Sequence, residues 1–265
     1  MSYVRRIWSD LAGLYLVGGP YMALRWLAGL ILKLPVLLRQ RNLESADKVL
    51  GGGPFRIKTA TSMQPFLVAG EGVLSGIREM YARNMYLKNG LLEISDGHVV
   101  VDLGANVGLF TMLALSHGSR VRVVSVEPNS SFVMQMRETL ASNAGFGARA
   151  TILRGFVGEK GAKQDEITRN DIRYADAPWL SETDVIDAGR LTRIDFLKCD
   201  IEGGEFGLIK GERRLLSMCH SLAIEIHAFG GDVTRYLATL EEMGFVICSA
   251  IYDSHGNCVA LGRRS

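Results

Sequence analysis

The sequence is poor in cysteine: four residues in 265 (Cys199, Cys219, Cys248, Cys258), with no Cys-x-x-Cys pair. That spacing speaks against a disulfide scaffold or a zinc ribbon, and the thiols read as reduced. Charge of one sign is also lacking: the net charge of +2 argues against a dedicated nucleic-acid binder. No internal repeat and no low-complexity tract is present. What is present is an apolar fraction of 48% against 22% charged, enough for a globular core and too much for wholesale disorder. The length suits one elaborated domain, or one domain with an appendage.

The charge is unevenly placed. Residues 1–42 carry six bases and one acid, Asp10, leaving a slightly acidic remainder. Between 11 and 38 the only charges are Arg25 and Lys33. A signal peptide would need a small-residue cleavage site, which is not convincing here. For a membrane span, the eight Leu, Ile and Val residues of window 16–34 are worth about −0.3 to −0.6 kcal/mol each, while a central Arg25 costs about +2.5 to +3.5 kcal/mol. The sum is near zero, so a span is not demanded. Helical phase places Arg25, Gly29 and Lys33 on one face and Leu24, Leu27, Ile31 and Leu34 on another. That pattern suits a helix lying on an anionic membrane surface, with packing on the protein's own core or in a homodimer as the alternative. Pro20 and Pro35 should bracket the helix. Gly51-Gly52-Gly53-Pro54 is the best boundary. It divides an apolar, basic helical segment (1–50) from the body (51–265).

In the body, residues 55–70 read as short extended pieces and 71–88 as a helix. From 98 onward apolar runs alternate with helical stretches. The runs lie at 98–103, 121–126, 150–157, 194–199, 221–226, 245–251 and 258–261. The helical stretches lie near 108–117, 130–143, 204–218 and 232–243, and 163–190 is a long polar connection carrying Trp179. Such alternation predicts a parallel sheet covered on both faces. The closing pair, joined through Ser254-His255-Gly256-Asn257, predicts a hairpin and one antiparallel strand at the sheet's end. Ligands of such sheets bind at the carboxyl ends of the strands.

The first of these strands ends Val-Asp102-Leu-Gly104-Ala-Asn106-Val-Gly108. Its glycines let backbone approach a ligand, and the helix that follows adds N–H donors. The spacing is Gly-x-x-x-Gly, so the dinucleotide fingerprint is missing, and no Lys-Ser/Thr follows to make a phosphate loop. Asp102 could organise the turn or reach a cationic ligand. The second strand ends at Glu127-Pro128-Asn129, which places an acid for two ribose hydroxyls. A nucleoside without a pyrophosphate fits, as in S-adenosyl-L-methionine (SAM).

The fourth strand leads into Leu197-Lys198-Cys199-Asp200-Ile201-Glu202-Gly203-Gly204-Glu205. Taken with the two preceding motifs, over about 98–229, this resembles the FkbM-type SAM-dependent methyltransferases. The resemblance implies a class I, Rossmann-like, doubly wound α/β sheet of seven strands with the last antiparallel. It implies that Gly104, Asn106 and Gly108 line the methionine part of the cofactor, that Glu127 holds the ribose, and that Asp200 and Glu202 lie by the transferred methyl. Asp102, Asn129 and Phe156 join the expected cofactor set, Phe156 either on the adenine or filling the core. Cys199 departs from the aliphatic residue usual before the aspartate. Family members are typically O-methyltransferases of sugars and secondary metabolites.

Methylation of an alcohol needs alignment and proton removal. Asp200 is a candidate base or a partner for the cofactor's ammonium. Glu202 contacts substrate or caps the next helix. His227, ending Ala223-Ile224-Glu225-Ile226-His227, is a candidate base or a structural histidine. Glu205 is expected to stabilise its helix's first turn. Lys198 is expected to pair with a carboxylate. No metal site is expected, because Asp200 and Glu202 have no third ligand at convincing spacing. The expected activity is O-methylation of a small molecule, sugar or lipid-linked glycan at the cytoplasmic membrane face, with the membrane met through 11–38. The chain contains no Pro-Pro and no Pro-Cys, so the signatures of nucleic-acid methylation are missing. The alternatives are a catalytically silent SAM-binding membrane adaptor, or a nucleic-acid or protein methyltransferase.

Overall fold

A computed structural model describes residues 3–40, 43–48, 51–70 and 72–264. Leu50, which closes the expected amino-terminal segment, and Glu71, which opens the expected 71–88 helix, lie outside the described residues. Two short strands, β1 (Phe55–Ile57) and β2 (Phe66–Val68), pair antiparallel. The main sheet follows, with β3 (Val99–Leu103), β4 (Arg122–Glu127), β5 (Ala150–Arg154), β6 (Ile194–Cys199), β7 (Cys219–Ile226), β8 (Phe245–Tyr252) and β9 (Cys258–Arg264). Its order is β5-β4-β3-β6-β7-β9-β8. Strands β3 to β7 run parallel, and β9 runs antiparallel to both β7 and β8. The last strand is therefore antiparallel as expected, but it does not lie at the sheet's end. The Val233–Glu242 helix carries the chain one place beyond β7, and the hairpin folds β9 back into the gap, so β8 takes the edge.

Successive residues of the central strands face opposite layers. Val100 and Val123 join one buried cluster with helices Leu109–Ser116 and Ser130–Ala141. Val99, Val101, Val124 and Val126 join the other, with helices Glu182–Gly189, Glu205–Lys210 and Val233–Glu242. Both faces are thus covered.

Three stretches differ from the sequence expectation. Residues 72–90 form a short α-turn, a π-helix (Ile77–Ala82) and a 3-10 turn (Lys88–Gly90) rather than one helix. The 204–218 stretch splits into Glu205–Lys210 and Arg214–Ser217 at Gly211 and a left-handed Arg213. The 163–190 connection holds two helices, Ala162–Asn170 and Glu182–Gly189. Both are short and polar, so apolar periodicity did not show them. The second starts at a Ser181–Asp184 capping box.

The amino-terminal helix spans Tyr3–Leu32 and is broken where Gly19 takes a positive φ (φ 79°, ψ 179°) before Pro20. A second helix, Leu34–Gln40, takes Pro35 in its first turn. The segment packs on the body. Leu14 and Trp26 are fully buried, and Trp26 Nε1 donates to Asp47 Oδ1 at 2.8 Å. Asp10 accepts from Arg78 at 2.8 Å and Arg83 at 2.6 Å, while Arg78 Nε also donates to Asp47 at 2.9 Å. The helix is therefore three-sided. Met22, Ala23, Trp26 and Leu30 face the protein. Of the expected basic face, Arg25 and Lys33 are exposed and Gly29 is buried, while the expected apolar residues Leu24, Leu27, Ile31 and Leu34 remain exposed.

Candidate active site

The crevice lies at the carboxyl ends of β3, β4, β5 and β6. Its floor is set by a close crossing. Gly104 has φ 73°, and a Cβ there would come within 1.7 Å of the Asp200 carbonyl oxygen, so only glycine lets the ends of β3 and β6 meet. Asp200 N–H in turn donates to Leu103 O at 3.0 Å. Gly108 (φ 84°) opens the next helix, where a Cβ would strike Met136.

Glu127, at the end of β4, is buried and accepts from Asn106 N–H and Asn129 N–H, each at 2.8 Å. Burial pushes its carboxyl up to about 7, against the pull of those two N–H groups. Phe156, beyond β5, forms one wall. It stacks on Trp179 (ring centroids 5.0 Å, 20° between planes) and lies 6.2 Å from Tyr174. Phe156 N–H donates to Pro178 O and Leu180 N–H to Phe156 O, each at 2.8 Å, so Trp179 is pinned as an anchor of its loop.

The opposite wall is the loop after β6. Glu202 sits in the left-handed region at φ 54°, followed by Gly203 at φ 92°. A non-glycine residue there is strained, which is common at functional sites. Gln164 holds the loop: its Nε2 donates to Glu202 O at 2.7 Å and Ile201 O at 3.2 Å. Beneath it, Lys198 is buried against Asp102 at 3.4 Å and donates to Gly104 O at 2.7 Å. Burial alone would lower the lysine, but the charges of Asp102 and Asp200 outweigh it and its pKa rises.

Farther along the sheet, His227 Nδ1 lies 2.8 Å from Glu205 Oε1, and its Nε2 lies 4.0 Å from Asp200 Oδ1. Burial opposes the imidazolium, but the Glu205 bond and the charges of Glu205, Asp200 and Glu202 outweigh it, raising His227 to about 9. Glu225 rises to about 7 through burial and the charge of Asp200. Glu79 on the π-helix rises for the same two reasons. Asp200, Glu202 and Glu225 thus share the electrostatic surroundings of the imidazole, and Glu79 adds its charge to those of Asp200 and Glu225.

Gly104, Asn106, Glu127, Phe156, Asp200 and Glu202 all line the crevice. Asp102 does not: it is fully buried, accepts from Thr111 Oγ1 at 2.8 Å, and pairs with Lys198 beneath the loop. Asn129 is likewise off the wall. Its Oδ1 accepts from Ser131 N–H and Phe132 N–H, capping the next helix. Gly108 shapes the turn without lining the crevice. Sequence reasoning missed Gln164, Tyr174 and Glu79. Nothing in their local pattern marks them, save that Glu79 stands on a π-helical turn, which is frequent at functional sites. Glu205 also differs from expectation, since it accepts from Ile201 N–H outside its own helix and from His227. A three-donor cluster is present, but it leaves out Glu202 and so does not complete the Asp200–Glu202 pair: Asp200, Glu205 and His227 each bring an atom within 4.8 Å of the others. Two of the three already bond each other, and no cation is assigned to them.

The donor set fits a cationic nucleoside: an acid for ribose hydroxyls, an aromatic wall for a base, and carboxylates for positive charge. Together with the strand order, this defines a class I SAM-dependent methyltransferase fold. The chain matches the methyltransferase FkbM domain over residues 102–247, more than half its length, and belongs to that family. It is a SAM-dependent methyltransferase. It is 25% identical over 218 residues to the Streptomyces tacrolimicus "31-O-demethyl-FK506 methyltransferase FkbM", covering 64% of this chain and 80% of that one. Among solved structures it is similar to the Methanococcus jannaschii fibrillarin pre-rRNA processing protein (TM-score 0.46, 14% identity, 81% and 91% covered). It is also similar to a Geobacter metallireducens precorrin-6y C5,15-methyltransferase (TM-score 0.44, 15% identity, 69% and 88% covered).

Proposed function

We propose that this methyltransferase acts on a hydroxyl oxygen of a small molecule, sugar or lipid-linked glycan, and that it works at the cytoplasmic face of a membrane. The observation that carries the hydroxyl is the imidazole beside the crevice: His227 is held by Glu205 and faces Asp200, and it becomes able to accept a proton as pH rises through its value near 9. An alcohol must lose its proton as it is methylated, and such a group supplies a base. The name of the FkbM relative, which makes an O-demethyl compound its acceptor, agrees with this reading.

In this reading Glu127 takes the ribose hydroxyls, Phe156 bounds the base, and the loop at Gly104 and Asn106 holds the methionine part. Bound SAM supplies a methyl group on a sulfonium, an electrophile that needs no metal. Asp200 and Glu202 lie beside that cation and orient the acceptor. Glu79 and Glu225 offer further acceptors for hydroxyl groups. A chamber so rich in carboxylates suits neutral or cationic acceptors over anionic ones. The test is transfer of labelled methyl from SAM to lipid and glycan extracts. Label on a hydroxyl oxygen supports the reading; label only on nitrogen or on protein overturns it.

The membrane half rests on the exposed face of the amino-terminal helix. Trp8, Leu16, Tyr21, Leu24, Ile31 and Leu32 are all more than half exposed. Arg25 and Lys33 lie among them, and the one acid of the helix, Asp10, is buried in ion pairs. Aromatic and aliphatic side chains rimmed by bases suit an anionic lipid surface. By length and composition the same helix could cross a membrane, but 39% of its apolar window is buried against the protein. A helix held on the protein by Trp26 and Asp10 lies flat more readily than it spans.

A further inference from the structure

We infer that Glu205 is a positioning residue: its buried carboxylate holds the His227 ring with Nδ1 donating, leaving Nε2, 4.0 Å from Asp200 Oδ1, as the atom that takes the acceptor's proton. The inference rests on the reading that the acceptor atom is a hydroxyl oxygen. Four observations carry it. Glu205 is fully buried, and its Oε1 lies 2.8 Å from His227 Nδ1. A carboxylate only accepts, so Nδ1 carries the proton and the neutral ring keeps its lone pair on Nε2. The same Oε1 accepts from Ile201 N–H at 3.1 Å, which ties the imidazole to the loop carrying Asp200 and Glu202. Glu205 itself is fixed, because the buried Tyr236 hydroxyl donates to its backbone carbonyl at 3.2 Å.

Glu205 Oε2 is buried with no hydrogen-bond partner. A carboxylate that only served the helix would turn that oxygen to solvent or to an N–H of its own first turn. Glu205 instead commits Oε1 to the imidazole and leaves Oε2 unsatisfied, at a cost in stability. That cost makes sense if the contact orients a ring.

The proton balance is simple. As the acceptor oxygen bonds to the methyl carbon, the carbon's bond to sulfur breaks with its electron pair staying on sulfur. The hydroxyl proton passes to His227 Nε2. The imidazolium so formed lies between Glu205 and Asp200, with Glu202 and Glu225 nearby and Glu79 facing Asp200 from the π-helix. Glu205 does not touch the acceptor; it sets which nitrogen does.

The test is histidine-selective nitrogen NMR on the full chain without cofactor, as a function of pH, for wild type and Glu205→Gln. The wild-type neutral ring should be protonated at Nδ1 and should titrate near 9. In Glu205→Gln the titration should fall by about one pH unit or more, because one of the facing carboxylates is gone. Glu205→Asp should recover part of the shift. A wild-type ring protonated at Nε2 overturns the inference without any variant, so a poorly folding mutant does not shield it. So does an unchanged titration in a folded Glu205→Gln. A second arm reads methyl transfer to extract hydroxyls against pH. The rise in rate with pH should move down in Glu205→Gln with a lower plateau in kcat and little change in KM. An unchanged profile counts against positioning. Absence of any hydroxyl methylation by wild type instead defeats the functional reading, while the tautomer result stands by itself.

Discussion

The crevice and the amino-terminal helix both bury charge, but they do so by different means. In the crevice the charged residues come from motifs at neighbouring strand ends. Parallel pairing of β3 with β6 brings Asp102 beside Lys198, and the glycine at 104 lets the ends touch. On the helix, Asp10 meets Arg78 and Arg83, and Trp26 meets Asp47, across gaps of 21 to 73 residues. The first arrangement is dictated by the sheet. The second exists only because one helix has docked. Its unpaired alternative is severe, since removing one partner of a buried ion pair typically costs about 3–5 kcal/mol.

The contrast can be broken at its hardest point first. Gly104→Val should abolish S-adenosylhomocysteine binding in calorimetry and lower the melting temperature steeply. The new side chain meets the Asp200 carbonyl at a position that also demands positive φ. Next, Asp10→Asn should destabilise the whole chain by about 3 kcal/mol in denaturant unfolding, by leaving Arg78 and Arg83 short of their buried partner. If instead only the helix came loose, with the body's unfolding midpoint unchanged, the segment would be an appendage and not part of the core.

The crevice also carries a pH signature that the helix lacks. In the proposed reading Glu127 takes the ribose hydroxyls, which donate, so it must be a carboxylate to bind them. Burial raises its carboxyl to about 7, so cofactor affinity should rise as pH climbs through 7 and weaken below it. Glu127→Gln should bind more weakly, by about tenfold, and lose that pH dependence in calorimetric titration. The smallest expected effect on stability is on the open face. Leu24→Ser with Ile31→Ser should change unfolding by no more than about 0.5 kcal/mol, yet reduce flotation with anionic vesicles. Equal flotation would remove the membrane reading while leaving the methyltransferase intact. These point changes are cleaner than deletion of the helix, which would uncover the apolar surface that Leu14 and Trp26 now cover.

Sequence by itself determined the strand and helix alternation and the places of Gly104, Asn106, Glu127, Phe156, Asp200 and Glu202 on one crevice. It could do so because parallel strands all end on the same edge, so a motif at a strand end has only one place to go. Short polar helices such as Ala162–Asn170 escaped, because their stability comes from caps and contacts rather than from a repeating apolar face. Asp102 and Asn129 sit within the right motifs, yet a strand's alternation turned one to the buried lysine and a helix start claimed the other. Only the tertiary structure decided three further matters. It bonded Glu205 to His227, set the π-helical Glu79 facing Asp200, and gave the amino-terminal helix one buried face beside two open ones. Each depends on contacts between residues remote in the chain, and local pattern carries no record of such contacts.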